Sequence, residues 1–211
     1  MTHVVLLGDS IFDNGAYVPG EPDVVRQLRP LLPTGWQATL IAVDGDVTTD
    51  VPRQLKGVPA DASHLVVSVG GNDALQRIGV FEERAASVAE AVKRLAAVAG
   101  GFERNYEAML NAVGERDLPT ALCTIYNPRF PDPQLQGLAV TGLSLFNGAI
   151  LRAAFTHGLP VLELRLICDR VNDYANPIEP SAKGGAKTAA AIARLLREHD
   201  FRKGRTEVFA R

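Results

Sequence analysis

Five short apolar runs recur along this chain, and stretches with helical periodicity separate them. Apolar runs of this length are typical of buried strands; they cover residues 3–7, 37–43, 64–69, 120–125 and 159–164. The intervening stretches predict helices over residues 22–32, 81–100, 102–115, 133–157 and 183–198. Strands that alternate with helices favour a parallel sheet covered by helices on both faces, with right-handed crossovers. We therefore predict an α/β sandwich.

Two segments of this pattern predict how the surface is arranged. Within residues 81–100, the apolar residues Val88, Val92, Leu95 and Ala99 fall on one stripe, as in a surface helix that turns one face inward. The tail, residues 201–211, is charged and has no clear pattern. We expect this tail to be loosely held.

The length and charge of the chain exclude several functions. At 211 residues the chain fits one domain, residues 1–211, since a unit of this size buries roughly 70% of its unfolded surface. The formal net charge is −2, and no face carries a block of Lys and Arg that would bind nucleic acid. The first residues lack a basic leader, and no segment approaches the ~20 apolar residues of a bilayer span. We expect a cytoplasmic protein that acts on a small, near-neutral molecule, without nucleic-acid or membrane partners.

The two cysteines, Cys123 and Cys168, both lie in apolar segments. Neither belongs to a CxxC motif or to a Cys/His pair with metal-ligand spacing. We interpret them as reduced thiols in the core. A disulfide between them is the alternative.

The loops that follow the strands are where a site is expected, because ligands of a parallel sheet bind beyond the carboxyl ends of its strands. In the first loop, Ser10 leaves its strand through Gly8. A hydroxyl presented this way suits a nucleophile whose own N–H faces an oxyanion; a Gly-Asp-Ser turn that only caps a helix is the alternative. Gly45 follows the second strand and Asn72 the third. With the N–H of Ser10 they would supply three oxyanion donors, each typically worth about 3 kcal/mol.

Three blocks resemble, in order and approximate spacing, the first three blocks of the SGNH or GDSL hydrolases: GDSIFDN at residues 8–14, DGDVTT at 44–49 and GGND at 70–73. The resemblance covers the first half of the chain and resumes near its C-terminus. It implies a flavodoxin-like, three-layer α/β/α fold with a five-stranded parallel sheet. It also implies activity as an esterase, lipase, thioesterase or acyltransferase, with Ser10 as nucleophile, Ser10, Gly45 and Asn72 as oxyanion hole, and neither cofactor nor metal.

The last block of that family departs from its pattern in this chain. The family places an aspartate three residues before its catalytic histidine, and this chain has Asn176 and Glu179 in those positions, ahead of the final helix. Glu179 is therefore the predicted general base, and a carboxylate that merely favours a helix N-terminus is the alternative. No histidine is expected to reach Ser10, because all four lie at the opposite edge of the predicted sheet, at positions 3, 64, 157 and 199.

The strength of Glu179 as a base depends on its surroundings. An ordinary glutamate has a pKa of about 4.3, against about 6.5 for imidazole, and is the poorer proton acceptor. Burial would raise the pKa of Glu179, whereas the helix N-terminus and a nearby Arg53 would lower it, and the sequence leaves both outcomes open. Asp173 is the reserve base, with a simple loop turn as its alternative. Four further residues are expected to support the site: Asp9, Asp13, Asp73 and Asn176. We expect Asp9 and Asp13 to order the nucleophile loop through backbone hydrogen bonds.

Two functions fit this sequence. The first is an esterase in which Ser10 attacks a small carboxylic ester and Glu179 accepts its proton; short acyl groups are expected because no segment resembles a large hydrophobic lid. The second is a non-catalytic domain that keeps the pocket and binds an acyl or carbohydrate ester without turnover. A nucleotide-binding flavodoxin is the weakest alternative, since no Gly-rich phosphate loop follows the first strand.

Overall fold

The computed structural model describes residues 2–210, and its sheet is parallel throughout. The strand order is β2-β1-β3-β4-β5-β6. The sheet therefore has six strands, where five were predicted. Their bounds are β1 His3–Gly8, β2 Gln37–Leu40, β3 His64–Ser68, β4 Thr120–Cys123, β5 Val161–Leu162 and β6 Val208–Phe209.

Helices connect the strands along the chain. The longest are α4 and α5, and the others have between four and 17 residues. Their bounds are α1 Val24–Leu28, α2 Val51–Gln54, α3 Gly71–Leu75, α4 Val88–Gly114, α5 Pro133–His157, α6 Leu164–Ile167 and α7 Ala182–Glu198.

The sheet is covered on both faces, which makes three layers. Along β1, Val4 and Leu6 belong to one core and Val5 and Leu7 to the other, and all four are fully buried. Successive strand side chains alternate between the faces, so a strand that is apolar at every position needs a helix layer on each side. Helices α1, α6 and α7 complete the first core, and α2, α4 and α5 the second. The predicted α/β sandwich is confirmed.

The sixth strand comes from the tail. Val208 and Phe209 pair in parallel with Val161 and Leu162 of β5, and Phe209 is buried in the first core. The expectation of a loosely held tail is therefore wrong. The physical reason is that β5 would otherwise present unpaired backbone groups at the sheet edge, and two residues with one buried ring are enough to cover it.

Helix α4 is one continuous helix of 27 residues, and the predicted separation into two helices near residue 101 is wrong. The predicted inward stripe is wrong at its start as well, because Val88 is 81% exposed and Val92 57%. The buried residues of α4 begin only at Phe102. At 1.5 Å per residue the helix is about 40 Å long, roughly twice the length of β1, the longest strand. Its first half therefore continues past the carboxyl edge of the sheet.

Helix α5 is long and apolar enough to cross a membrane by length and composition alone, with a mean hydropathy of 1.5 in its most apolar window. The expectation that no segment reaches this level is wrong for α5. Its inner face packs in the second core through Phe146, Ile150 and Ala154, and burial in a domain core favours the same composition. The helix ends at Gly158, whose φ of 65° provides the left-handed cap.

Cys123 and Cys168 are free thiols buried in the first core. Burial raises the pKa of Cys168 to about 11 and raises that of Cys123 further. Both thiols are therefore un-ionised and unreactive near neutral pH.

Candidate active site

The end of β1 presents Ser10 at the rim of the sheet. Gly8 has a φ of 125°, and a Cβ at this position would lie 1.8 Å from the carbonyl oxygen of Ser68, so only glycine fits. The N–H of Asp9 donates to that same carbonyl at 3.0 Å, and the carboxylate of Asp9 accepts from the N–H of Ile11 at 3.1 Å. These contacts turn the chain sharply away from the strand and leave Ser10 lining a cavity at the carboxyl edge.

Glu179 reaches the same edge from the loop before α7. The side chain of Asn176 accepts hydrogen bonds from the N–H groups of Ile178, at 2.9 Å, and Glu179, at 3.0 Å. The carbonyl of Glu179 accepts from the N–H of Ala175 at 2.9 Å, and the hydroxyl of Tyr126 donates to the carbonyl of Ile178. The backbone on both sides of Glu179 is thus fixed by hydrogen bonds.

The two loops meet through their side chains. Asn14, in the loop that carries Ser10, donates to the carbonyl of Pro180 at 3.4 Å. Glu179 is 6% exposed as a whole residue, and within residues 2–210 the Oε2 of its carboxyl has no hydrogen-bond partner. Burial raises the pKa of Glu179 to about 7, against a hydrogen bond from Ser10 that lowers it and the nearby charge of Asp44 that raises it. A carboxylate that titrates near neutral pH is suited to accept a proton there.

Asp9 is a second buried carboxyl in the same cavity. Desolvation raises its pKa to about 8, the hydrogen bond from Ile11 lowers it, and the charges of Glu179, Asp73 and Asp44 raise it further. Asp9 is therefore mostly neutral at pH 7. Because it is uncharged, Glu179 can carry the negative charge of the pair without facing a second one.

The three predicted oxyanion donors are not equally placed. Ser10 and Asn72 line the cavity together with Glu179. The side-chain amide of Asn72, in the first turn of α3, donates to the carbonyl of Asp46 at 2.9 Å. Gly45 precedes Asp46 in an exposed turn with a φ of 83°, beside the cavity and outside the residues that line it.

A buried glutamine that sequence reasoning missed joins two of these loops. Gln54 donates to the carbonyl of Gly8 and to the carboxylate of Asp46, both at 2.7 Å, and accepts from the N–H of Gly8 at 2.8 Å. Arg53 binds the other side of Asp46 at 2.9 Å and does not contribute to the pKa of Glu179. Between the two opposed effects on Glu179 that the sequence left open, burial wins. No motif or spacing in the sequence indicates that a glutamine of a short helix would join two loops by hydrogen bonds.

The remaining predicted residues surround the site or lie away from it. Asp73 accepts from the N–H and hydroxyl of Thr48, each at 2.9 Å, which joins α3 to the loop after β2. Asp13 accepts from the N–H of Asp44 at 3.0 Å. Asp173, the reserve base, does not line the cavity. It is buried against Lys187 at 2.7 Å and caps a turn through the N–H of Arg170 at 2.8 Å, so its role is structural.

The four histidines lie at the starts of strands or at the C-terminal ends of helices, and none of them lines the cavity. Each has a polar side-chain partner elsewhere: His3 contacts Asp61, His64 contacts Ser63, His157 contacts Glu107 and His199 contacts Glu207. The acidic residues that line the cavity with Ser10 are Asp9 and Glu179.

The cavity beside Ser10 is mainly apolar. Its empty volume is about 960 Å³, including the open mouth. Its walls come from the connection after α3 and from the first halves of α4 and α5, which extend past the sheet. Apolar side chains make up most of the lining, among them Leu75, Ile78, Phe81, Leu95, Val98, Leu143 and Phe146. Such a cavity suits a hydrophobic group better than a sugar.

The chain matches one protein family and many solved structures. The profile of the GDSL-like Lipase/Acylhydrolase family matches residues 6–199. No curated protein matches the chain. The fold resembles that of the extracellular lipase of Streptomyces rimosus, with a TM-score of 0.64 and 17% identity over 92% of this chain and 99% of that one.

Two further structures show the same fold at similar distance. A lipase from a goat rumen metagenome has a TM-score of 0.66 and 19% identity, over 93% of this chain and 96% of that one. A carbohydrate acetylesterase from Sinorhizobium meliloti has a TM-score of 0.62 and 15% identity, over 93% and 99%. At identities this low, the structural similarity establishes the fold alone. The family is established by the profile match. This chain belongs to the GDSL-like lipase and acylhydrolase family, and that membership indicates an esterase- or lipase-type hydrolase.

Proposed function

We propose that this protein is a serine esterase that works through an acyl-enzyme, with Glu179 as the general base for Ser10. One observation carries the proposal: Ser10 and the buried Glu179 line the same cavity, whose lining contains no histidine, and burial raises the pKa of Glu179 to about 7. In this proposal Asn176 and Glu179 occupy the positions of the aspartate and histidine that other family members use. A carboxylate with a raised pKa performs the task of the imidazole.

The reaction follows from these positions. The hydroxyl oxygen of Ser10 attacks the ester carbonyl, and its proton passes to Glu179. The N–H groups of Ser10, Gly45 and Asn72 donate to the oxygen that becomes negative. The amide of Asn72 has two N–H bonds, so the one that donates to Asp46 leaves the other for this oxygen. The alcohol departs with the proton from Glu179 and leaves the acyl group on Ser10.

Hydrolysis of the acyl-enzyme uses the same groups. A water molecule attacks the acyl carbonyl while Glu179 accepts its proton. The bond between the acyl carbon and Ser10 then breaks, the proton returns to the serine oxygen, and the carboxylic acid leaves. Neutral Asp9 assists both steps, because an ionised neighbour would oppose the developing negative charge on the substrate.

Two substitutions test the pair, with short p-nitrophenyl esters as substrates. We expect Ser10→Ala to abolish acyl-enzyme turnover and Glu179→Gln to lower kcat by about 10²–10⁴-fold, the usual contribution of a general base. Glu198→Gln, at the exposed far end of α7, is the matched control and should turn over like the wild type. Unchanged turnover in both site variants would remove the proposed pair.

The second candidate is a domain that binds an ester without cleaving it. The lack of an imidazole at Ser10 is the observation that favours it. Labelling by a fluorophosphonate separates the two, because a serine without a base reacts hardly faster than an ordinary one. Rapid, stoichiometric labelling that Ser10→Ala abolishes and Glu179→Gln slows supports the esterase; slow labelling of the wild type supports the binding domain.

A further inference from the structure

A short segment between α3 and α4 covers part of the apolar cavity. Residues Ile78–Glu82 form a 3₁₀ helix, and Ile78, Val80 and Phe81 from this segment line the cavity. Helix α5 lines the same cavity with Gly142, Leu143 and Phe146. The segment and the helix therefore both border the space that adjoins Ser10.

Phe81 is in close contact with α5 at a glycine. A Cβ built on Gly142 would lie 2.8 Å from Cζ of Phe81, and 3.6 and 3.7 Å from its two Cε atoms. Real Cβ atoms do not approach so closely, so any larger residue at position 142 would displace the ring. The tip of the Phe81 ring thus occupies a notch in the helix that only glycine leaves open.

Two other glycines of α5 show that this notch is specific. Gly137 and Gly148 lie in the same helix, and a Cβ at either of them would meet no atom within 4 Å. A glycine in a helix interior costs roughly 1 kcal/mol relative to alanine. At Gly142 the close approach of Phe81 explains why a glycine is present despite this cost. No such contact explains the glycines at positions 137 and 148.

We propose that Phe81, seated against Gly142, determines the length of the acyl chain that the enzyme accepts. This inference rests on the proposed function. The substrate class is an ester whose acyl group is an unbranched hydrocarbon chain of several carbons. The carbonyl carbon lies at Ser10, and the chain extends into the cavity until it meets the Phe81 ring.

The lining explains why a hydrocarbon chain is chosen. The charged residue types in the lining are Asp9 and Glu179, next to Ser10, and Arg77, which is exposed. The rest of the lining offers few polar groups. A sugar or a charged acyl group would lose hydrogen bonds to water there without gaining partners. Each methylene that becomes buried gains about 0.8 kcal/mol, which converts to about a fourfold increase in kcat/KM per carbon until the chain reaches Phe81.

The test is a series of p-nitrophenyl esters from acetyl to dodecanoyl, measured as kcat/KM. For the wild type we expect a rise of about fourfold per carbon, followed by a sharp fall at one chain length. Phe81→Ala should move this optimum to longer chains. Gly142→Ala should also move the optimum, because the added Cβ displaces the ring, and in the Phe81→Ala background it should cause no further shift.

The controls use the two open glycines. Gly137→Ala and Gly148→Ala should leave the chain-length optimum where it is, since nothing contacts the added methyl group. Thermal melts of every variant identify any that do not fold, and Phe81→Leu, which keeps an apolar side chain, replaces Phe81→Ala if that variant is unfolded. An optimum that is the same in all variants, or that moves equally in Gly148→Ala, would overturn the inference.

Failure of the proposed function gives a different result. If the wild type cleaves no ester of any length, the esterase proposal fails. Calorimetric binding of fatty acids of increasing length then tests the inference separately. Affinity that peaks at one length and shifts in Phe81→Ala supports a chain-measuring cavity, whereas affinity that is indifferent to Phe81 contradicts it.

Discussion

Asn176 accepts a hydrogen bond from the backbone N–H of Glu179 across 3.0 Å, and a second from Ile178 at 2.9 Å. Asn176 lies three residues before this glutamate in the sequence. In this chain the contact is made to the backbone of the acid, while Glu179 lines the same cavity as Ser10. The side chain at position 176 therefore acts by holding the loop in place.

Removing this contact should affect catalysis more than stability. We expect Asn176→Ala to lower kcat by about tenfold with little change in KM, because Glu179 loses its fixed position. Asn176 is exposed, so the free energy of unfolding should fall by about 1 kcal/mol or less. Asn176→Asp keeps the acceptor and should restore most of kcat, with the acidic limb of the pH profile at higher pH because the added charge raises the pKa of Glu179. Equal effects of alanine and aspartate would contradict this positioning role.

The pH dependence of activity should have two limbs. Glu179 accepts a proton only when ionised, so kcat/KM should rise as the pH passes about 7. Asp9 ionises near pH 8, and its charge then opposes the negative transition state, so kcat/KM should fall above that pH. Asp9→Asn should remove the alkaline limb and keep the acidic one. Rates measured in a pH-stat from pH 5 to 10 check this, and an alkaline limb that persists in Asp9→Asn would show that another group causes it.

The same shifts predict how stability depends on pH. Folding raises the pKa of Asp9 from 3.8 to about 8 and that of Glu179 from 4.5 to about 7. The stabilisation from these two protonated groups is complete below their ordinary pKa values, and it is lost as the pH rises to the folded values. Asp9→Asn removes this penalty for Asp9 and keeps the acceptor for Ile11.

Urea unfolding at pH 4 and pH 9 measures that effect. Asp9→Asn should be more stable than the wild type at pH 9 and close to it at pH 4. Asp13→Asn, a half-buried aspartate of the same loop, is the control and should show a smaller difference between the two pH values. A variant that is less stable than the wild type at pH 9 would be inconsistent with a buried, un-ionised Asp9.

Gln54 and Arg53 should differ in their contribution to stability, although both side chains donate to the carboxylate of Asp46. Gln54→Leu removes the acceptor of the Gly8 N–H and the donor to the carboxylate of Asp46 in a buried position, while the carbonyl of Gly8 keeps the N–H of Val43. We expect this to cost about 2–4 kcal/mol. Arg53→Ala removes an ion pair whose arginine side chain is 60% exposed, which should cost less than about 1 kcal/mol. Urea midpoints measure both, and similar losses would refute the proposed role of Gln54.

The layers of the fold could be predicted because strands buried on both faces are apolar at every position. The extent of α4 could not. The pair Gly100–Gly101 suggests a break, and the cost of about 1 kcal/mol for each glycine in a helix is offset by the packing of Phe102, Tyr106 and Met109 that follow. The strand β6 could not be predicted either, because two residues are too few to show a strand periodicity. Its formation is explained by the edge of β5, with which it pairs.

The sequence by itself determined which chemical groups meet at the rim of the sheet, since the carboxyl ends of parallel strands converge and Ser10, Asn72 and the loop of Glu179 follow such strands. It also determined that the four histidines lie elsewhere. Only the tertiary structure decided how these groups behave. The pKa values of Glu179 and Asp9 depend on desolvation, and desolvation depends on side chains from distant parts of the chain that close over them. The apolar cavity arises in the same way, because it exists only where α4 and α5 extend past the sheet and Phe81 meets Gly142.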